Sequence, residues 1–488
     1  MKERSAVYIT TTIPYVNAEP HVGFALEVVQ ADVLARHFRL LGHPVFFSTG
    51  ADEHGQKIWQ KAIDAGQDVS SYVDIFAAKF ADLKEALDLS NDNFIRTTDP
   101  KHIEAAQEFW RRCAEKGDIY KKSYKGEYCV GCEKFVTERD LNENRECPDH
   151  PGKELAFIEE KNYFFKLSNY REKLLAYLKG DNTIFPDYRK QDAIRFVESG
   201  LEDFSISRVK EKMSWGVPVQ DDPEHVFYVW FDALVNYIST LGWPSDSEGQ
   251  FQRFWVDGRT LQFAGKDQIR FQSIMWQGML MSAGLPNTDS IIYHGFLTSG
   301  GQKMSKTLGN VISPFELVEE FGTDAVRYFL LREVTPYEDS DITRERFQEA
   351  YNANLVNGLG NLVSRILKMS ETYNVEKSTS KEGAVASASG SELEKSVVES
   401  LDRYALNEAM DTIWKEIARL DKVIQEEEPF KVWKIDEEGA RKIVRGLVVG
   451  LFDIALLLRP FLPQTSEKIE KCIEENKKPT EPLFLRKG

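Results

Sequence analysis

The chain has 488 residues, 42% of them hydrophobic and 29% charged, and a formal net charge of −16. That length provides for about two to four domains, and the acidic balance argues against non-specific nucleic-acid binding while leaving room for a specific RNA held on a local basic face. No apolar run reaches the ~18 residues of a membrane span; residues 444–458 come nearest and are broken by Arg445, Gly446 and Asp453. Met1 leads directly into an extended segment, so no signal peptide is expected. Five cysteines, three of them clustered, suit a reducing cytoplasm and a metal site better than a disulfide framework.

In chain order, residues 6–12 are rich in β-branched side chains and read as a buried strand. Residues 23–41 carry Phe24, Val28, Ala31, Leu34, Phe38 and Leu41 at helical spacing, with Gly42 as a stop. Residues 44–49 read as the next strand, and residues 50–55 (Gly-Ala-Asp-Glu-His-Gly) as the loop at its carboxyl end. Strand, helix, strand is a βαβ unit and implies a parallel sheet, whose ligands sit outside the carboxyl ends of the strands. His21 and Asp52 both fall there. Residues 119–206 interrupt the pattern and read as an inserted domain. The α/β pattern returns at residues 226–234, 261–267 and 290–296. After Ile312 the chain turns helical, with helices expected at 314–321, 325–333 and 344–373. Residues 378–390 are rich in Ser, Ala and Gly and read as a linker, and amphipathic periods at 391–427, 436–458 and 463–475 predict a helical bundle.

Two stretches carry metal chemistry and phosphate chemistry. Cys129 and Cys132 flank Gly131, and Cys147 and His150 flank Pro148. Such knuckles suit a closed tetrahedral zinc site, with no position left open for water. Cys113 and Cys472 are expected as small buried side chains. Near the middle, glycines border Lys303-Met304-Ser305-Lys306-Thr307. Ammonium groups on a glycine-hinged loop can follow a polyphosphate as its charge redistributes. His21, at a strand-to-helix turn with Gly23 allowing close approach, can donate to a phosphate near a helix N-terminus, and Asp267 at a strand end suits a ribose hydroxyl pair.

The His21-x-Gly23 turn and the lysine loop, in that order, resemble the two signatures of the class I aminoacyl-tRNA synthetases. Ile13-Pro14-Tyr15, residues 50–55, Tyr228-Val229-Trp230-Phe231-Asp232-Ala233, Asn236-Tyr237 and the Cys3His knuckles narrow the resemblance to the bacterial methionyl-tRNA synthetase family. It covers nearly the whole chain. The fold it implies is a Rossmann-like parallel α/β sheet (1–118 and 207–325) with an inserted zinc-knuckle connective domain (119–206). A helical junction (326–376), a linker (377–390) and an anticodon-binding bundle (391–488) follow.

The resemblance also implies roles. Catalysis falls to His21, Lys303 and Lys306. Gly23, Glu27, Gly265, Asp267, His294, Gly295, Phe296 and Lys306 would bind ATP. Asp52 would hold the ammonium of L-methionine, with Ile13, Tyr15, Trp230, Ala233, Tyr237 and Gln272 around its side chain; a carboxylate suits an ammonium, and aromatic rings suit a polarisable sulfur. Asn361, Arg365, Pro429 and Phe430 would read the anticodon of tRNA(Met), the first two from one face of helix 344–373. One structural zinc at Cys129, Cys132, Cys147 and His150, and magnesium with ATP, are implied, in a cytoplasmic monomer. The chain departs from the family at Phe24, which replaces the second signature histidine, at Thr307 for serine, at Phe430 for tryptophan and at Gln272 for histidine. A ligase for another apolar amino acid, or a tRNA-binding relative without catalysis, are the alternative readings.

Overall fold

The computed structural model describes residues 5–129, 134–136, 138, 141–148, 150–304, 309–375 and 392–488. The expected linker 377–390 lies outside them, as do Cys132, Lys306 and Thr307. The chain folds as two compact units: Met1–Pro20, Pro44–Asp82 and Asn91–Tyr293 form one, and His21–His43, Leu83–Ser90 and His294–Gly488 the other.

The first unit is built on the expected parallel sheet, in the order Asn93–Arg96, Val45–Ala51, Val7–Thr10, Arg259–Gly265, Ser290–His294, Ile184–Phe185. The pairings of Val7–Thr10 with both neighbours are parallel. From Val7–Thr10 the next strands in sequence add outward on one side, and from Arg259–Gly265 the following strand Ser290–His294 adds on the other, with the earlier Ile184–Phe185 at that edge, so the switch point where ligands bind such sheets lies between Val7–Thr10 and Arg259–Gly265. Residues 12–15 and Gly265 leave the sheet there. Stacked aromatic side chains fill the core: Phe109 on Trp276 at 5.5 Å and Trp110 on Phe227 at 4.6 Å between ring centroids.

Residues 119–206 divide into two parts. Strand Ile119–Cys129 pairs antiparallel with Ala156–Phe165, from Ile119 opposite Phe165 to Tyr128 opposite Ala156. Lys134–Val136 and Phe204–Ser205 complete a four-stranded sheet. Ile184–Phe185 instead extends the parallel sheet beside Ile291 and Ile292, and Leu174, Leu178, Ala193 and Val197 from its flanking helices enter the large core. Residues 226–234 also differ from a plain strand. The strand is confined to His225–Phe227, and Val229–Ala233 is a short helix despite its aromatic and β-branched residues.

In the second unit, helix Val22–Leu40 begins at His21, whose Nδ1 accepts from the Gly23 N–H at 3.0 Å. Strands Gln302–Lys303, Leu297–Ser299 and Ser340–Asp341 form a small sheet. Helices Arg344–Ala350 and Asn361–Thr372 are continuous through a π-helical stretch, Tyr351–Gly360; Leu355, Leu359, Leu362 and Ile366 are buried along it, as their spacing predicts. Helices Glu392–Asp402, Leu406–Glu427, Glu437–Leu458 and Pro463–Glu475 form the expected C-terminal helical region. Among the described residues no helix is long and apolar enough to cross a membrane.

Candidate active site and metal centre

In the first unit, a cavity of about 150 Å³ opens at the switch point. All seven residues expected around an amino-acid substrate line it: Ile13, Tyr15, Asp52, Trp230, Ala233, Tyr237 and Gln272. The backbone positions the two ends. Asp52 N–H donates to Pro14 O at 2.9 Å and Val16 N–H donates to Asp52 O at 3.2 Å, so residues 14–16 and the loop 50–55 are laced together. Asp52 is buried. Tyr15 meets Trp230 edge-on at 6.2 Å, and Phe271 stacks on the other ring at 3.7 Å. Gln272 Nε2 donates to Tyr237 Oη at 2.6 Å. The cavity therefore offers one carboxylate beside an aromatic wall: a cation site next to a slot for a flexible, polarisable chain.

Behind that wall lies a group that no local motif signals. Asp232 Oδ2 is 2.6 Å from His54 Nδ1, and Oδ1 is 2.9 Å from His102 Nε2. All three side chains are buried. Burial alone would raise the Asp232 pKa, but His54 and then His102 overcome it and hold the carboxyl down at about 2, against a usual 3.8. These contacts explain why residues 229–233 coil into a helix: a carboxylate seated between two imidazoles in the core outweighs strand propensity, which is weak and context-dependent. A carboxyl with a depressed native pKa contributes stability that is present above its unfolded value and lost as pH falls through the native one. We expect the stability advantage of the wild type over Asp232→Asn, followed by urea midpoint, to shrink between about pH 4 and pH 2; an advantage unchanged over that window would contradict the paired carboxylate.

Gly265 ends its strand, and Asp267 lies exposed in the turn Lys266–Gln268, where its Oδ2 accepts from Gln268 Nε2 at 3.2 Å.

The second unit holds the other residues expected at the nucleotide. Glu27 Oε2 and His294 Nε2 are 2.8 Å apart, and His294 Nδ1 lies 2.7 Å from Gly295 O. Gly295 is required by close approach: a Cβ there would stand 2.1 Å from Glu338 O. Lys303 is exposed on its hairpin, with its Nζ 5.5 Å from the centre of the Phe296 ring. The turn before it, Gly300-Gly301, has φ of 63° and 74°, a region glycine enters without strain, and Gly301 N–H donates to Asp341 Oδ1 at 2.8 Å. Crowding by protein, then the Lys303 ammonium, lowers the His21 pKa. A neutral ring whose Nδ1 accepts from Gly23 carries its proton on Nε2.

On the helix Asn361–Thr372, Asn361 is exposed, while Arg365 is half-buried and ion-paired with Asp421. Pro429 is buried at the start of the turn Pro429–Val432, with Phe430 exposed over 46% of its surface.

The metal candidate is compact. Ligand atoms of Cys129, Cys147 and His150 lie within 4.8 Å of one another. His150 Nδ1 is 3.7 Å from Cys129 Sγ and 4.0 Å from Cys147 Sγ, close to the roughly 3.6 Å edge of a tetrahedron with zinc–ligand bonds of ~2.0–2.3 Å. Both thiols are buried, with Val136, Leu141 and Leu155 packed around them. Soft donors in an apolar sheath fit zinc.

The family described as tRNA synthetases class I (M) matches residues 7–156 and 151–367. The chain belongs to this family of class I tRNA synthetases. A methionine–tRNA ligase of Thermotoga maritima is 41% identical to this synthetase over 97% of the chain and 76% of its own length. One from Rhizobium meliloti is 38% identical over 96% and 92%. Among solved structures, Mycobacterium tuberculosis methionyl-tRNA synthetase in complex with methionyl-adenylate superposes with a TM-score of 0.88, at 39% identity, covering 96% of this synthetase and 93% of that chain. Sequence reasoning missed His102 and Phe271 altogether. The sequence gives His54, in the loop 50–55, no visible role, because its partner Asp232 is remote along the chain.

Proposed function

We propose that this chain is a methionine–tRNA ligase, acting as a cytoplasmic monomer. The observation that carries the reading is the cavity at the switch point, where a buried carboxylate sits beside the Tyr15–Trp230 wall in a chain so similar to such ligases. The first step is attack of the methionine carboxylate on the α-phosphorus of ATP, forming methionyl-adenylate and expelling pyrophosphate. The second is attack by a hydroxyl of the terminal ribose of tRNA(Met) on the acyl carbon, expelling AMP. Neither step demands much proton chemistry; both demand positioning and charge stabilisation.

The residues divide accordingly. Asp52 takes the ammonium, fixing the carboxylate's direction of attack. Ile13, Tyr15, Trp230, Ala233, Tyr237 and Gln272 enclose the thioether. His21 donates from Nε2, and Lys303 and Lys306 add positive charge, as the pyrophosphate departs. Gly23, Glu27, Gly265, Asp267, His294, Gly295 and Phe296 bind the nucleotide. Magnesium bound with ATP supplies further charge neutralisation at the phosphates. Asn361, Arg365, Pro429 and Phe430 meet the anticodon; Phe430 offers an exposed ring on which a base can stack. For Arg365 that contact requires exchange of its Asp421 partner.

The test is ATP–pyrophosphate exchange with methionine, leucine, isoleucine, valine and cysteine offered separately. Methionine alone should support exchange. Exchange with another of these amino acids alone would overturn the side-chain assignment, and none with any would favour a tRNA-binding protein without catalysis.

Cys129, Cys147 and His150, with Cys132, would hold one structural zinc, which ties the end of strand Ile119–Cys129 to the turn at Cys147. Metal analysis of the purified protein should give about one zinc per chain, and Cys147→Ala should lose it, because three ligands hold zinc far less tightly than a closed set of four. A metal-free wild type with unchanged thermal stability would remove the centre.

A further inference from the structure

The cavity's walls come from segments far apart in the chain, and one carboxylate behind them touches several. Asp232 lies between Trp230 and Ala233 on helix Val229–Ala233, yet it is not among the cavity-lining residues. Through His54 Nδ1, at 2.6 Å, it reaches the loop that carries Asp52. Through His102 Nε2, at 2.9 Å, and on from His102 Nδ1 to Ser239 Oγ, at 2.9 Å, it reaches the turn Asn236–Ser239 that carries Tyr237. The loop is held from its other side as well: Trp215 Nε1 donates to Glu53 O at 2.5 Å, and the Trp215 and His54 rings meet edge-on at 5.7 Å. Asp232 is 1% exposed and His102 0%. The stability this pairing contributes does not by itself account for burying these groups, since well-packed apolar residues of similar volume are often as stable as a buried ionic cluster. What a carboxylate between two imidazoles provides is fixed distances and directions.

We propose that Asp232, with His54 and His102, is a positioning unit that sets the spacing between the Asp52 carboxylate and the Trp230–Ala233 wall, and so determines which side-chain length the pocket accepts. The inference rests on the methionine reading. An amino acid held by its ammonium at Asp52 has its far end measured by that wall. One methylene in an apolar pocket changes specificity by roughly 10- to 200-fold when the wall is fixed, and a wall free to shift gives up that discrimination.

The experiment compares wild type, Asp232→Asn and His102→Gln in pyrophosphate exchange with methionine and with its homologue one methylene longer, ethionine. Thermal stability is recorded alongside. Wild-type exchange with methionine tests the function; its absence would overturn that reading, whereas the variants are judged only against an active wild type. Asp232→Asn should raise the methionine KM roughly 10- to 100-fold, leave the ATP KM within about twofold, and bring the kcat/KM values for methionine and ethionine closer together. His102→Gln should move the same quantities in the same direction by less. A purely structural role would lower thermal stability and raise both KM values together, or change neither KM; either KM outcome overturns the proposal, whereas a stability loss alone, expected from the pairing of Asp232, does not. If Asp232→Asn does not fold, His102→Gln decides by the same split, because it keeps Asp232 and its contact with His54.

Discussion

Changing Asp52 to Asn is expected to lower kcat/KM for methionine in pyrophosphate exchange by about 2–5 kcal/mol, roughly 30- to several-thousand-fold. The carboxylate is buried, and its backbone is fixed from both sides by Pro14 and Val16, so no neighbouring segment can move in to replace it. The substituted amide is nearly the same size. It keeps the packing but removes the negative charge, and the substrate ammonium would enter the cavity without its counter-charge. The loss should appear in the methionine KM, with the ATP KM little changed, because the charge concerns only the amino acid. A loss below about threefold, or equal changes in both KM values, would remove Asp52 from the ammonium site.

The second large effect concerns stability. Arg327 is fully buried. Its guanidinium donates to Phe461 O at 2.8 Å, Leu87 O at 3.0 Å and Pro460 O at 3.0 Å, and pairs with Asp32 at 2.8 Å. Asp32 in turn pairs with Arg36 and accepts from the Ser90 N–H and hydroxyl at 2.6 Å each. Burial pushes the Asp32 carboxyl up, but Arg327, then Arg36 and Ser90, bring it below the ordinary value. Arg327→Met keeps much of the volume and strands three carbonyls and a buried carboxylate. Removing one partner of such a pair costs about 3–5 kcal/mol. The urea unfolding midpoint should fall accordingly, and the double variant Asp32→Leu with Arg327→Met should recover part of the loss. A single variant within about 1 kcal/mol of wild type would show that water or a neighbour replaces the guanidinium.

The same cluster explains a division of the chain that local patterns do not reveal. Helix Val22–Leu40 follows the first strand of the parallel sheet, so the βαβ reading groups it with residues 1–118. It belongs instead to the unit formed by His294–Gly488, because Asp32 and Arg36 on its flank find their partners at Arg327 and Asp88. Helical periodicity places Asp32 and Arg36 one turn apart. It carries no information about a residue almost three hundred positions away.

By itself the sequence determined the element types where a single face repeats: the strand at residues 7–10, the helix after His21, the leucine stripe at 355, 359 and 362, and the C-terminal helices. Its knuckle spacing also anticipated the grouping of Cys129, Cys147 and His150, and its loop 50–55 the place of Asp52 at the cavity. Tertiary structure alone decided the rest. It placed Ile184–Phe185 in the parallel sheet rather than in the inserted one, coiled residues 229–233 around Asp232, paired Arg365 with Asp421, and brought His54 and His102 behind the cavity that Asp52 lines. The physical reason is the same in each case. Periodicity and turn chemistry are set by neighbours along the chain, whereas buried charges and strand edges take whichever partner satisfies them at least cost, and that partner is chosen only when distant segments pack.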